Sequence, residues 1–534
     1  MSQDVYLVAS GDLRPAANEE GWPAQRALEE RLTEAVAREG RSLRRAFAVD
    51  ERTGHGFVSS QRMGMDVFGG VPREAPVIVA TAVWQYSHHV LPGLRRHRGP
   101  ILTVANWSGQ WPGLVGLLNL NGSLSKAGVP YESLWSASFD DAFFQDGLRR
   151  WLAGERVRHD VSHVRPFDVD GVDEAARAVG TSVAEGLAER MAILGVFDEG
   201  CMGMYNAILD DEVLNGMGVY KERLSQSALV AEMRKVEDEE AAAVRAWLDE
   251  RGMTFHTGPD PAKHLTDGQI HEQCKMYVAA ARMAERFGCD AIGIQYQQGL
   301  KEMTPASDLV EGLLNDPDRP PVRGEGGVVI RDGEAIPHFN EVDEGAAVDA
   351  LVTNRVWSSL GLDPSTTLHD VRWGEHFAGG SLEAFVWVFE ISGSVPASHL
   401  AGGYAEAEGN RQPAVYFPMG GSTLSGVSKP GEIVWSRVYV MDGALHADVG
   451  LGRSVALPAE EVRRRREATT PEWPIMNAVL YGVSRDQLMA QHKANHVQVA
   501  YAPDRAAAFR AAGAKAAAFG AMGMRVHACG EVQP

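Results

Sequence analysis

Cysteine is scarce: four residues in 534, at positions 201, 274, 289 and 529, with no C-x-x-C spacing. That excludes a disulfide framework and a thiolate zinc site, and it fits a reducing cytoplasm. Basic residues are short as well. Lys and Arg number 51 against 71 Asp and Glu, and the resulting charge of −20 opposes nucleic acid and anionic membrane surfaces as partners. No apolar run approaches the roughly 18 residues of a spanning helix. The opening MSQDVYLVAS lacks the basic start of a signal peptide, so a cytoplasmic chain with no membrane partner is expected. Neither G-x-G-x-x-G after a strand nor G-x-x-x-x-G-K-[ST] occurs, which leaves dinucleotide and P-loop nucleotide binding without a motif. No internal repeat and no low-complexity tract interrupts the chain.

What is present is globular composition, 45% hydrophobic and 23% charged, over a length that suggests about three domains. DVYLVAS (4–10), PVIVATA (76–82) and PILTVAN (100–106) are short apolar runs, each followed by helix-like sequence. That alternation predicts a doubly wound parallel sheet with ligand loops at the strand C-termini. A boundary near residue 168 precedes a second α/β unit. It contains a helix over 170–192, a long amphipathic helix over Glu222–Glu250, a strand in CDAIGIQYQQ (289–298) and a helix in DEGAAVDALVTNRVW (343–357). From about residue 380 FVWVFEISG, AVYFPMGG, EIVWSRVYVMDG and HADVGLG alternate apolar and polar residues between Gly-rich turns, the pattern of antiparallel strands. A helix over Arg505–Gly520, capped by Asp504, closes the chain. The expected architecture is two doubly wound parallel-sheet α/β domains, 1–168 and 169–350, followed by a mixed C-terminal domain with an antiparallel β-barrel, 351–534.

Chemistry concentrates in acids and histidines. In PHFNEVDEGAAVDAL, Glu341, Asp343 and Glu344 crowd a loop-to-helix junction, where acids are in any case favoured by the helix dipole. In TTLHDVRWGEH, Asp370 ends a β-like run beside Arg372; a surface ion pair is the ordinary reading of that pair. In HKANHVQVAY, His492 and His496 are four apart, a spacing that stacks them only in a helix, and the β-branched run that follows favours a strand start. One of the two is then expected in the site. Two carboxylates and an imidazole from separate segments suit a hard divalent ion.

These segments carry a family resemblance. NEVDEGAAVDAL resembles the E-S-D-x-x-G-A-L segment of L-fucose isomerases and the E-G-D segment of L-arabinose isomerases. LHDVRW is similar to L-x-D-V-R of the fucose isomerases, and MAQHKANHVQVAY to their stretch ending in A-N-H. LRPAANEEGW, LLNLNGS, MGMYNAILDDE and AVYFPMGGSTLSGVSKPGEIVWSRV extend the likeness from residue 13 to residue 501 in the family's order. His492 stands where the family segment has Trp, and VWQYSHHV (83–90) carries a histidine pair, His88 and His89, where arabinose isomerases have W-M-H-T-F-S.

The resemblance implies a metal-dependent aldose–ketose isomerase working on a free sugar through an enediol. Glu341 and Asp370 are its catalytic residues, and together with His496 they hold Mn²⁺, with Mg²⁺ or Co²⁺ as alternatives. Arg14, Trp84, Gln297, Tyr416, His492 and Asn495 fall at positions that contact substrate. A homo-oligomer, hexameric in the family, is implied too. The sugar stays open among pentoses, deoxy-hexoses and anionic sugar derivatives. Two other readings stay open: a non-catalytic sugar-binding protein built on the two N-terminal α/β units, and a metal-dependent aldolase or hydrolase using the same ligands.

Overall fold

The computed structural model describes residues 4–200 and 202–533, so the opening Met1-Ser2-Gln3 and Cys201 lie outside the described residues. The chain is mixed α/β, with two parallel sheets and a closed antiparallel barrel. The first sheet has five parallel strands in the order Ser42–Arg45, Asp4–Val8, Val77–Thr81, Ile101–Asn106, Glu132–Ser136. Its central strands are buried throughout, as expected where both faces of a sheet are covered. The second has three parallel strands, Ala291–Ile294, Ala192–Phe197 and Val219–Leu224.

The barrel runs Gly431–Met441, His496–Ala502, Thr366–Gly379, Leu382–Glu390, Ile475–Leu480, Ala444–Ser454, and closes because Ala444–Ser454 also pairs with Gly431–Met441. That last hairpin turns on Asp442-Gly443, both at positive φ (52° and 70°), the backbone that a two-residue hairpin loop requires. Arg525–Cys529 and Val164–Pro166 extend the same sheet beyond the barrel. Residues 164–166, expected in the N-terminal unit, therefore pair with the barrel's sheet.

Three other expectations are corrected. The segment 222–250 is not one long helix: a strand ends at Leu224, and the helices Gln226–Met233 and Asp238–Glu250 follow, the second opened by a capping box between Glu237 and Glu240. Charges in VEDEE that fit a helical face serve instead as a new helix start. AVYFP forms turns rather than a strand, leaving Tyr416 in a loop. Thr366–Gly379 is 14 residues long, so Asp370 lies within a strand rather than at its end.

The helix Gly113–Lys126, which contains LLNLNGS, is buried on nearly every side and joins the first sheet to the barrel. Leu114, Leu117 and Leu118 share a core with Trp387 and Trp435 of the barrel. Its buried amides are occupied structurally: Asn119 Nδ2 donates to the Gln85 carbonyl at 2.9 Å, and Asn121 Nδ2 to Ser133 Oγ at 3.0 Å. A Cβ on Gly122 would strike the Lys493 carbonyl, so glycine is what lets this helix press against the loop that leads into His496.

Candidate functional site

Strand pairing sets two of the three expected ligands together. Asp370 is the register partner of His496 on one side and of Glu390 on the other. A register shift just beyond, between Val371 and Trp373, lets Arg372 face the same cleft as Asp370. Glu341 arrives from the loop after the second sheet. Its backbone is left-handed (φ 56°, ψ 17°), and so is that of Val342 (φ 52°). Non-glycine residues pay roughly 1–3 kcal/mol each for such conformations, and a β-branched one is rare there. Asn340 Oδ1, which accepts the Glu341 N–H at 2.8 Å, and Gln295 Nε2, which donates to its carbonyl at 3.3 Å, hold the turn.

The three side chains converge on His496 Nε2, which lies 3.5 Å from Glu341 Oε2 and 3.4 Å from Asp370 Oδ1. The ring is oriented from behind. Its Nδ1 is 2.8 Å from Asp343 Oδ2, and Arg437 grips the same carboxylate with two bonds of 2.6 and 2.9 Å. Asp343 also caps the helix Glu344–Ser359 by accepting the Ala346 N–H at 3.0 Å. Although burial opposes ionisation, Arg437 and His496 hold the Asp343 carboxyl well below the usual carboxylate range. An ionised Asp343 accepts a hydrogen bond from the His496 Nδ1–H, which turns the Nε2 lone pair toward the two carboxylates.

That arrangement demands something positive among the three. Burial raises the pKa of Glu341 and of Asp370, His496 pulling both the other way. Burial alone would depress His496, but Asp343 and Asp370 raise it. Among the described residues, no group of three or more His, Cys, Asp or Glu is placed to hold a metal ion. This trio comes near such a placement, because donors each about 2.1 Å from a common ion stand roughly 3.0–3.5 Å apart. His496 Nε2 and Asp370 Oδ1 are also buried without a hydrogen-bond partner. The donor set fits a divalent ion.

Over the trio lies a narrow cleft lined by Arg14 and Trp84 from the first sheet's loops, Tyr296 from the second, and Arg372, Tyr416 and Trp473 from the barrel side. Arg14 is clamped to Asp12 by two bonds (2.9 and 2.6 Å) and stacks over Tyr416, 4.5 Å from the ring centre. Tyr296 Oη donates to Glu341 Oε1 at 3.1 Å. Trp84 Nε1 and Arg372 Nη1 are buried donors without a partner. Free volume in the cleft is about 30 Å³, room for about one water and far below a typical ligand pocket.

Compared with protein-family models and with curated proteins, the chain matches none.

Of the nine residues singled out from sequence, Glu341, Asp370, Arg14, Trp84 and Tyr416 line the cleft, and His496 backs its floor. The other three do not line it. His492 caps the helix Arg485–Gln491, and its Nε2 bonds the His496 carbonyl at 2.8 Å. Asn495 Nδ2 reaches Met204 Sδ at 3.3 Å. Gln297 is fully buried, neither side-chain amide atom having a partner, and its neighbour Tyr296 takes the cleft position. His88 and His89 pack against Tyr205 and Tyr86 instead of facing the cleft. Sequence reading missed Asp343 in its contact with His496, together with Arg437 and Tyr296. A signal for Arg437 existed: an arginine inside the apolar strand EIVWSRV has to be paired.

Proposed function

We propose that the chain is a metal-dependent aldose–ketose isomerase. The observation that carries the reading is the convergence of Glu341, Asp370 and His496, three residues picked out by the isomerase-like segments and separated widely in sequence, on one buried point under a cleft. Supporting it is Asp343, a carboxylate that fixes the imidazole tautomer as outer carboxylates do for metal-bound histidines.

Glu341, Asp370 and His496 would hold a divalent ion (Mn²⁺, or Mg²⁺ or Co²⁺), which would supply Lewis-acid polarisation of the substrate. The chain's own residues do the rest. One of the two carboxylates takes the proton from C2 of the aldose and returns it to C1, while a proton passes from O2 to O1, giving the ketose. Tyr296, bonded to Glu341, orients that carboxylate. Arg14, Trp84 and Tyr416 hold the sugar and exclude water. In this reading the three sheets correspond to two α/β domains and a barrel domain, and the protein works in the cytoplasm as a homo-oligomer, hexameric by the same resemblance.

The reading is tested by incubating the Mn²⁺-loaded protein with a panel of aldoses, including deoxy- and anionic sugars, and assaying for ketose of unchanged mass. Ketose formation that stops on chelation is expected. Cleavage products, or binding without turnover, would replace the reading with an aldolase or a binding protein.

Metal affinity carries a second expectation. The ion must displace protons held by the raised carboxylates and His496, so binding releases protons and strengthens with pH. Apparent Mn²⁺ affinity should rise up to about tenfold per pH unit for each proton displaced, as measured by calorimetry between pH 5.5 and 8.5. Affinity independent of pH over that range would contradict this account.

A further inference from the structure

Behind the cleft lies a second acidic pocket that the proposed chemistry does not use. The short helix Asp308–Leu314 begins at Asp308 and carries Glu311 one turn on. Both side chains are essentially inaccessible, at 0% and 1% exposure; the Glu311 carboxylate has no hydrogen-bond partner, and only the Gln412 amide and the residue's own backbone N–H stand near that of Asp308. No lysine, arginine or histidine pairs with either. Two uncompensated carboxylates in a dry interior would cost several kcal/mol each, so each is either protonated or meets a positive charge that no side chain here supplies.

The surrounding groups are two hydroxyls and one side-chain amide. The loop Gly393-Ser394 presses on this helix so closely that a Cβ at 393 would collide with Asp308 and with Gln412 Nε2. Ser394 Oγ lies 2.7 Å from where a Cβ on Gly312 would sit, and Gly312, four residues after Asp308, shares its helix face. That hydroxyl is fully buried and has no partner, and the same holds for Ser307 Oγ. Gln412 fixes the far wall: its Oε1 accepts the Trp473 indole N–H at 2.7 Å, which turns its amide nitrogen toward Asp308.

We propose that Asp308 and Glu311, with the Ser394 and Ser307 hydroxyls, form a second divalent-cation site, buried and structural. Two carboxylates neutralise one such ion, and carboxylate plus hydroxyl oxygens are what hard divalent cations take. Its ligands are different residues from Glu341, Asp370 and His496, with Glu341 near enough for its charge to be felt by both carboxyls. Burial pushes both carboxyls well above the usual range when nothing else is bound, so the competing occupant is a proton.

Equilibrium dialysis of the metal-stripped full chain against Mn²⁺ tests the proposal. Two ions per chain are expected in the wild type, and one in each of the double variants Glu341→Gln/Asp370→Asn and Asp308→Asn/Glu311→Gln. The variant lacking the cleft carboxylates should still melt at a higher temperature with Mn²⁺ than without it, and the variant lacking Asp308 and Glu311 should not show that second, structural shift. One ion in the wild type and none after Glu341→Gln/Asp370→Asn would overturn the second site and leave the isomerase reading standing. One ion in the wild type that survives Glu341→Gln/Asp370→Asn but not Asp308→Asn/Glu311→Gln would keep the second site and remove the first. If Asp308→Asn/Glu311→Gln fails to fold, the wild type and the cleft variant alone still decide.

Discussion

Glu341→Gln and Asp370→Asn are each expected to cut aldose–ketose turnover by about 10³-fold or more while leaving the chain folded. A positioned acid–base carboxylate contributes roughly 10²–10⁴ in rate, and each substitution also removes a donor from the trio around His496 Nε2. The stability effect should run the other way. Burial already raises the pKa of both carboxyls, so a neutral amide of the same shape removes a cost that the metal-free chain bears. Melting temperature should hold or rise in the absence of metal, the signature of a residue kept for function against stability. Thermal melts by circular dichroism alongside ketose assays check both halves. Near-normal turnover in either variant, or a collapsed fold, would refute the assignment of that residue.

Asp343→Asn should produce the largest loss of stability of any single change near the site. It leaves Arg437, 1% exposed, without the carboxylate that holds it by two bonds. Breaking such a buried pair from one side costs about 3–5 kcal/mol. The same change weakens the hold on His496 Nδ1, and loss of an outer carboxylate lowers metal affinity by about 10- to 100-fold. The two effects separate in a double variant. Adding Arg437→Met to Asp343→Asn removes the stranded charge and should recover much of the stability, but metal affinity should stay low because His496 still lacks its anchor. If affinity recovers along with stability, Asp343 acts only through folding. Denaturant melts and Mn²⁺ titrations of both variants give the comparison.

Much of the framework can be read in the sequence because it follows local periodicity. The parallel strands begin in apolar runs that need no partner to be recognised, and the barrel strands alternate visibly. What escapes is whatever depends on a contact distant in the chain. Asp343 at a helix start looks like a cap, and it is one; nothing local shows that it also meets Arg437 and His496. Gln297 and Tyr296 are adjacent, and which of them faces the cleft is set by the path of the chain after the strand, where Gln298 is left-handed. The AVYFP run has strand composition, but tertiary packing on the Tyr296 side keeps it as turns, with Phe417 against Tyr296 at 5.0 Å. Val164–Pro166 is three residues long, too short to show any period, and only its pairing with Arg525–Cys529 makes it a strand.

The pairing of Asp370 with His496 bears on how this chain can change length. Side chains on a strand alternate faces, so inserting or deleting one residue within the paired stretch Thr366–Asp370 would turn Asp370 away from His496. That stretch should refuse single-residue indels. The Asp442-Gly443 hairpin tip, at the far end of Gly431–Met441, carries no such constraint and offers a place to graft a loop, tag or affinity handle without disturbing the centre.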